Sequence, residues 1–120
     1  MPIKIDQFSI IEPAGDKYKR IEEYVGLVNS KTSGISIARI VSPPGYMDAS
    51  QKPEFTEYRI VLKGALQVQT SSELFIIYAG EAIIVNANEQ VQYSTPTDDG
   101  AEYISVCMPA FSQDAVHRDE

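Results

Sequence analysis

Short runs in which apolar and polar positions alternate cover most of the chain. The stretches ISIARIV (35–41), EYRIVLK (57–63), ALQVQT (65–70), LFIIYA (74–79), AIIVN (82–86), VQYST (91–95) and EYISVC (102–107) are rich in Ile, Val, Tyr and Thr. These residues fit a pleated, half-buried surface, and the runs read as strands. Between them stand the turn signals SPPG, KG, TSSE, AGE, NANE and PTDDG. Strands recurring about every ten residues with such punctuation predict a sandwich or barrel, not an alternating βαβ chain. The only plausible helical piece is KYKRIEEYV (17–25), and its last residues equally well begin a strand. At the N-terminus, PIKIDQFSIIEP (2–13) alternates in part, with Ile3, Ile5 and Phe8 opposed to Lys4 and Asp6. In the tail, PAFSQDAVHRDE (109–120), Pro109 ends the last strand, and Phe111 and Val116 are apolar anchors for folding back over the barrel.

Length and composition narrow the picture. With 120 residues, 43% of them hydrophobic and 22% charged, the chain is expected to form one globular domain with its own core. The formal net charge is −7, and no stretch gathers Lys or Arg into a stripe. The electrostatic footprint of phosphate-backbone binding is missing, so nucleic acid is not an expected partner. Cys107 is the one cysteine, which excludes an intrachain disulfide and points to a reducing compartment. No apolar run approaches the ~18 residues of a membrane span and no secretory leader opens the chain, so the expectation is a soluble, cytoplasmic protein without a membrane partner.

The glycine spacing is more specific. Gly45, five residues, Gln51-Lys52-Pro53, three residues, Glu57, six residues and Gly64 follow one another without a gap. Further on come Gly80, five residues, Asn86-Ala87-Asn88, two residues, Val91, three residues and Thr95. In these two frames the chain resembles the cupin superfamily, particularly small single-domain bacterial cupins. The first family motif is Gly-x5-His-x-His-x3-4-Glu-x6-Gly, and the second is Gly-x5-Pro-x-Gly-x2-His-x3-Asn. The resemblance implies an all-β, cupin-type double-stranded β-helix, or jelly-roll barrel. Its core would lie at 34–107, preceded by N-terminal strands or loop (1–33) and followed by a tail (108–120). Small cupins commonly dimerise by pairing or exchanging N-terminal strands, so the resemblance also implies a homodimer.

The departures from the motifs bear on function. Metal-binding cupins use two histidines and a glutamate from the first motif and a histidine from the second; the matching positions here are Gln51, Pro53, Glu57 and Val91. One carboxylate cannot replace three imidazoles, and Pro and Val offer no side-chain ligand. No cofactor is therefore expected, and a divalent metal is disfavoured.

If Glu57 faces the lumen, as the matched family glutamate does, period-2 alternation brings Phe55, Arg59 and Val61 inward with it and turns Thr56, Tyr58, Ile60 and Leu62 out. Arg39 shares a face with Ile35, Ile37 and Val41 and is read as inward too. Tyr93 lies on the face of Val91 and Thr95. A polar pocket of Arg39, Glu57, Arg59 and Tyr93 follows, with Arg able to hold a carboxylate or phosphate and Glu57 able to act as acid or base. The bland alternative is an internal Glu57–Arg59 ion pair adding little net stability. Tyr46, Gln51 and Glu54 precede Glu57 where ligands enter a cupin, although Tyr46 and Glu54 read more simply as solvated loop side chains. His117, the only histidine, could cap the barrel mouth as a proton shuttle or stand exposed on the tail. Cys107 reads as a small buried hydrophobe.

Three functions fit these residues. The first is a metal-independent barrel that binds, or transforms, a small polar or anionic metabolite. The second is a metal-dependent, dioxygenase-like enzyme with ligands rebuilt from Glu57, His117 and Gln51 or Glu54. The third is a non-catalytic sensor or structural module.

Overall fold

The computed structural model describes residues 1–13 and 19–118. Eight strands occur among them: β1 (Ser9–Ile11), β2 (Arg20–Val25), β3 (Ser36–Ser42), β4 (Thr56–Thr70), β5 (Leu74–Tyr78), β6 (Ala82–Val85), β7 (Val91–Ser94) and β8 (Ala101–Met108). A single 3-10 turn, Gln113–Ala115, follows. All pairings are antiparallel, in the order β1-β2-β3-β8-β4-β5, with β6 and β7 also paired to β4.

The segments 57–63 and 65–70, which read as two strands, are halves of one 15-residue strand, β4. Its first half pairs with β6 and β8, and its second half with β5 and β7. A straight strand of that length would run roughly 50 Å, whereas the molecule's longest dimension is 42 Å. The strand therefore bends, at a bulge between Val61 and Lys63 and at Gly64, whose φ is +73°. The glycine that looked like a turn is instead a corner, carrying one strand from one sheet of the sandwich to the other.

The region read as helical also differs. Positions 17 and 18 lie outside the described residues, and Arg20–Val25 is a strand paired with both β1 and β3. Its inward residues, Ile21 and Glu23, follow period 2, and pairing on both sides overrides the local helical preference.

Val61, Leu66, Val68, Ile77, Val85, Val91, Tyr93 and Tyr103 belong to one buried cluster, drawn from both halves of β4 and from β5 to β8. A second, smaller cluster forms where the tail returns: Val116 is buried with Phe55 and Cys107, and Phe111 packs edge-on against Phe55. Main-chain N–H groups of Lys52 and Glu54 donate to carbonyls at Val116 and Ala115, tying the tail to the loop before β4.

Candidate functional site

The tail, the loop 43–55 and the inner faces of β2, β3, β4 and β8 enclose a cavity of about 40 Å³. Glu57 and Arg59 on β4 project into it, and β8 places Ser105 and Cys107 beside them, in register with Arg59 and Glu57 respectively.

The Glu57 carboxylate is fully engaged. Its Oε2 accepts from Arg59 Nε at 2.8 Å, Arg59 Nη2 at 2.7 Å and Ser105 Oγ at 2.6 Å, and its Oε1 accepts from Tyr93 Oη at 3.1 Å. The Arg59 guanidinium lies 3.5 Å from the Tyr93 ring centroid and 4.8 Å from that of Tyr103, within cation–π range of both. Burial, the largest single influence, disfavours its charge, but Glu57 together with Tyr103, Tyr93 and Asp48 more than offsets it and holds Arg59 protonated well above its ordinary range. Burial, reinforced by Glu57, also pushes the Tyr93 phenol well up, so Tyr93 is a fixed donor. The Cys107 thiol is pushed up to about 12, chiefly by burial and then by Glu57; it is a neutral thiol, without nucleophilic character.

One atom stands apart. Nη1 of Arg59 is buried and has no hydrogen-bond partner. A buried guanidinium nitrogen with its donors unspent is costly, because nothing replaces the water it has lost.

A second ion pair lines the same cavity. Lys19 Nζ donates to Asp48 Oδ2 at 2.9 Å, and Tyr46 Oη donates to Asp48 Oδ1 at 2.6 Å, all three residues being buried. Burial raises the Asp48 carboxyl, but Lys19 and the Tyr46 hydrogen bond more than offset it and hold Asp48 below its ordinary value. Lys19 and Asp48 escaped sequence reading. Lys19 fell in a segment read as helical, while the one visible signal for Asp48 was its i, i+2 spacing from Tyr46 across the exposed Met47.

The structure brings Glu57, Arg59 and Gln51 to the cavity wall; Tyr93 is buried in the core behind it and reaches the site through its hydrogen bond to Glu57, and Tyr46 is buried behind Asp48. The reading of Tyr46 as a solvated loop side chain is corrected: it is 6% exposed and ties Asp48 down.

Arg39 is also corrected. On β3 the inward residues are Ser36, Ala38 and Ile40. Arg39 points out, donating from Nη1 to Glu22 at 2.9 Å and from Nε to Glu102 at 3.0 Å. Both faces of β3 carry aliphatic residues, so alternation alone could not set the phase; the cross-strand acid Glu22 sets it.

His117 does not reach the lumen. It is exposed, in a left-handed backbone conformation (φ +54°), and pairs with Glu54, itself an exposed side chain, while Val116 is buried and Arg118 lines the cavity.

No protein-family model matches the chain. Among solved structures, a cupin-like protein from Thermotoga maritima superposes over 76% of this chain and 68% of its own, with TM-score 0.68 and 15% identity. The chain has the cupin fold. Another similar barrel is a putative ethanolamine utilization protein Q from Salmonella typhimurium LT2, matching over 87% of this chain and 80% of that one with TM-score 0.67 and 19% identity. The nucleoside dehydratase Pac13, from Streptomyces, matches over 100% of this chain and 91% of its own with TM-score 0.75 and 13% identity. Among curated proteins, endoribonuclease YbeY of Myxococcus xanthus (strain DK1622) is 39% identical over 102 residues, 85% of this chain. The chain spans about a third of that relative's length, 35%.

The positions that match the ligands of metal-binding cupins offer few free donors. Of the four matching positions, Pro53 and Val91 have no donor, and both oxygens of Glu57 are taken by Arg59, Ser105 and Tyr93. The Arg59 guanidinium already supplies the positive charge beside that carboxylate. Among the described residues no group of three His, Cys, Asp or Glu side chains converges elsewhere.

Proposed function

We propose that this cupin barrel binds a small polar or anionic molecule in its lumen without a metal, with Arg59 as the anchoring donor. The observation that carries the reading is the unpartnered Nη1 of Arg59, buried in the wall of a cavity. A ligand oxygen there would gain a charge-assisted hydrogen bond and relieve the unmet donor. Lys19 and Asp48 add a second polar pair to the cavity lining, and Phe55 and Phe111 contribute apolar surface to it. Acid–base turnover is a less direct fit, because Glu57 is saturated with donors and Cys107 is a neutral thiol.

The test is calorimetric titration with short carboxylates, amides and inorganic phosphate, comparing the wild type with a Glu57→Gln/Arg59→Met double variant. The double variant removes both charges together and so preserves neutrality. Saturable binding to the wild type alone supports the reading; no binding by any probe sinks it.

The small cavity favours a second reading, a non-catalytic barrel in which ordered water alone meets Arg59. A high-resolution crystal structure with only water at Nη1, together with blank titrations, would establish that reading. The RNA-cutting activity named for the Myxococcus relative does not carry over. This chain's net charge is −7, and the two buried cations of the cavity, Lys19 and Arg59, are already paired with carboxylates.

A homodimer completes the proposal. Ile60, Leu62 and Ile84 expose 44–61% of their surface on the outer face of β4 and β6, and Ile3 is also exposed on the N-terminal arm. A cluster of this kind on a sheet is suited to burial against a second copy. Light scattering coupled to size exclusion decides it: a monomeric mass at micromolar concentration removes the proposal.

A further inference from the structure

Resting on the reading of Arg59 as the ligand anchor, we infer that the ligand presents an uncharged oxygen acceptor, the carbonyl of an amide or ketone, and not a carboxylate or phosphate. Charge pairing in the lumen leads there. Arg59 is neutralised by Glu57 at 2.7–2.8 Å, and Lys19 by Asp48 at 2.9 Å. The third carboxylate of the wall, Glu23, is buried, and its Oε2 is met by the main-chain N–H groups of Val28 and Asn29. Arg118, a part-exposed residue of the lining, donates to the uncharged Gln113 amide.

The two buried cations therefore have no charge left to neutralise. What remains is a pair of N–H donors on Nη1, which is hydrogen-bonding capacity without net charge. A carboxylate placed there would lie among the carboxylates of Glu57, Asp48 and Glu23 in a low-dielectric interior where both buried cations are already paired; Arg118, the lining cation held by the uncharged Gln113 amide, is part-exposed and keeps much of its hydration. A carbonyl oxygen takes the same donors without adding charge.

The rest of the wall fits the remainder of such a molecule. Ile21, Ala38, Ile40, Phe55 and Phe111 give the cavity apolar surface besides the donors. A volume of about 40 Å³ equals room for roughly three waters at 10–15 Å³ each, so the enclosed part of the ligand is a short group of a few heavy atoms. An uncharged carbonyl carried on a small aliphatic group matches both ends.

The experiment is a matched-pair titration. Protein labelled with 15N is titrated with isobutyramide and with isobutyrate, molecules of the same shape that differ in charge, following the Arg59 Nε–H resonance. The assignment comes from the Glu57→Gln/Arg59→Met variant, which serves as the blank. Expected is a saturable shift with the amide, at a Kd at least tenfold lower than with the carboxylate; in the double variant, which lacks that resonance, calorimetric titration with the amide should give no saturable heat. Equal or tighter binding of the carboxylate, or binding of inorganic phosphate in place of the amide, overturns the uncharged-ligand inference while leaving the ligand-binding reading intact. If neither pair member nor phosphate moves the resonance, both fall.

Discussion

Arg59 grips a single oxygen of Glu57 with two of its nitrogens, Nε at 2.8 Å and Nη2 at 2.7 Å, two positions away on the same strand. Period-2 geometry makes such neighbours share a face, and burial makes each need the other. Glu57 stands at the motif position of the glutamate, and its carboxylate is held by a cation from its own strand.

Removing one partner of this pair is expected to be worse than removing both. Glu57→Gln leaves a buried guanidinium without its counterion and should cost about 3–5 kcal/mol, while Glu57→Gln/Arg59→Met should return to within about 2 kcal/mol of the wild type. Urea denaturation of the two variants measures this. A cost below about 1 kcal/mol for Glu57→Gln would mean that the lumen is wet and the pair screened.

Gly64 is expected to tolerate no side chain. A Cβ built there would sit 2.0 Å from the carbonyl oxygen of Gly100, at a φ of +73°. Gly64→Val should yield no folded protein, judged by far-ultraviolet circular dichroism and soluble yield. Gly80→Ala is the control: its φ of +90° is also unfavourable, but no atom lies within 4 Å, so a loss of about 1–2 kcal/mol is expected.

Asp48 predicts an acid-sensitive stability. Its carboxyl is held below the ordinary aspartate value of about 3.9. The unfolded state therefore binds a proton first as the pH falls. The stabilisation is complete above about pH 5 and is lost as pH drops through the folded value. Asp48→Asn should destabilise the protein at pH 7, where Lys19 is left buried and unpaired, and flatten the profile below pH 5. Thermal melts from pH 3 to 7 test the pair of profiles; parallel curves for wild type and variant would remove Asp48 as the cause.

Cys107 should be chemically silent in the native protein. With its thiol pushed up to about 12, only roughly one molecule in ten thousand is thiolate at pH 8. Labelling with an aromatic disulfide reagent should proceed only as fast as the barrel opens, and rapidly in urea. Stoichiometric labelling within minutes under native conditions would contradict the enclosed site.

The tail offers a contrast between adjacent residues. Val116→Ala deletes two methyl groups from a side chain 1% exposed and should cost about 2 kcal/mol. His117→Ala breaks only a surface pair with Glu54 and should stay within about 0.5 kcal/mol, with ligand titrations unchanged. A marked loss of binding in His117→Ala would restore the histidine to the site.

Much of this was legible without coordinates. The strand runs, the glycine frames and the i, i+2 relation of Glu57 to Arg59 are local properties, set by alternation and by turn chemistry, and they led to a cupin barrel with a charged pair inside. The face of Arg39 was not legible, because β3 is aliphatic on both sides and the deciding partner, Glu22, lies across the sheet. Nor was the Lys19–Asp48 pair, whose members are 29 positions apart and meet only because the strands on either side close around them. Phe111 and Val116 marked the tail as an anchor, but the left-handed step at His117, which leaves the imidazole exposed while Val116 is buried, belongs to the docked conformation. Which strands form and which residues share a face are written in the chain's neighbour spacings; which charges meet, and which donor is left without a partner, depends on where distant segments close over the lumen.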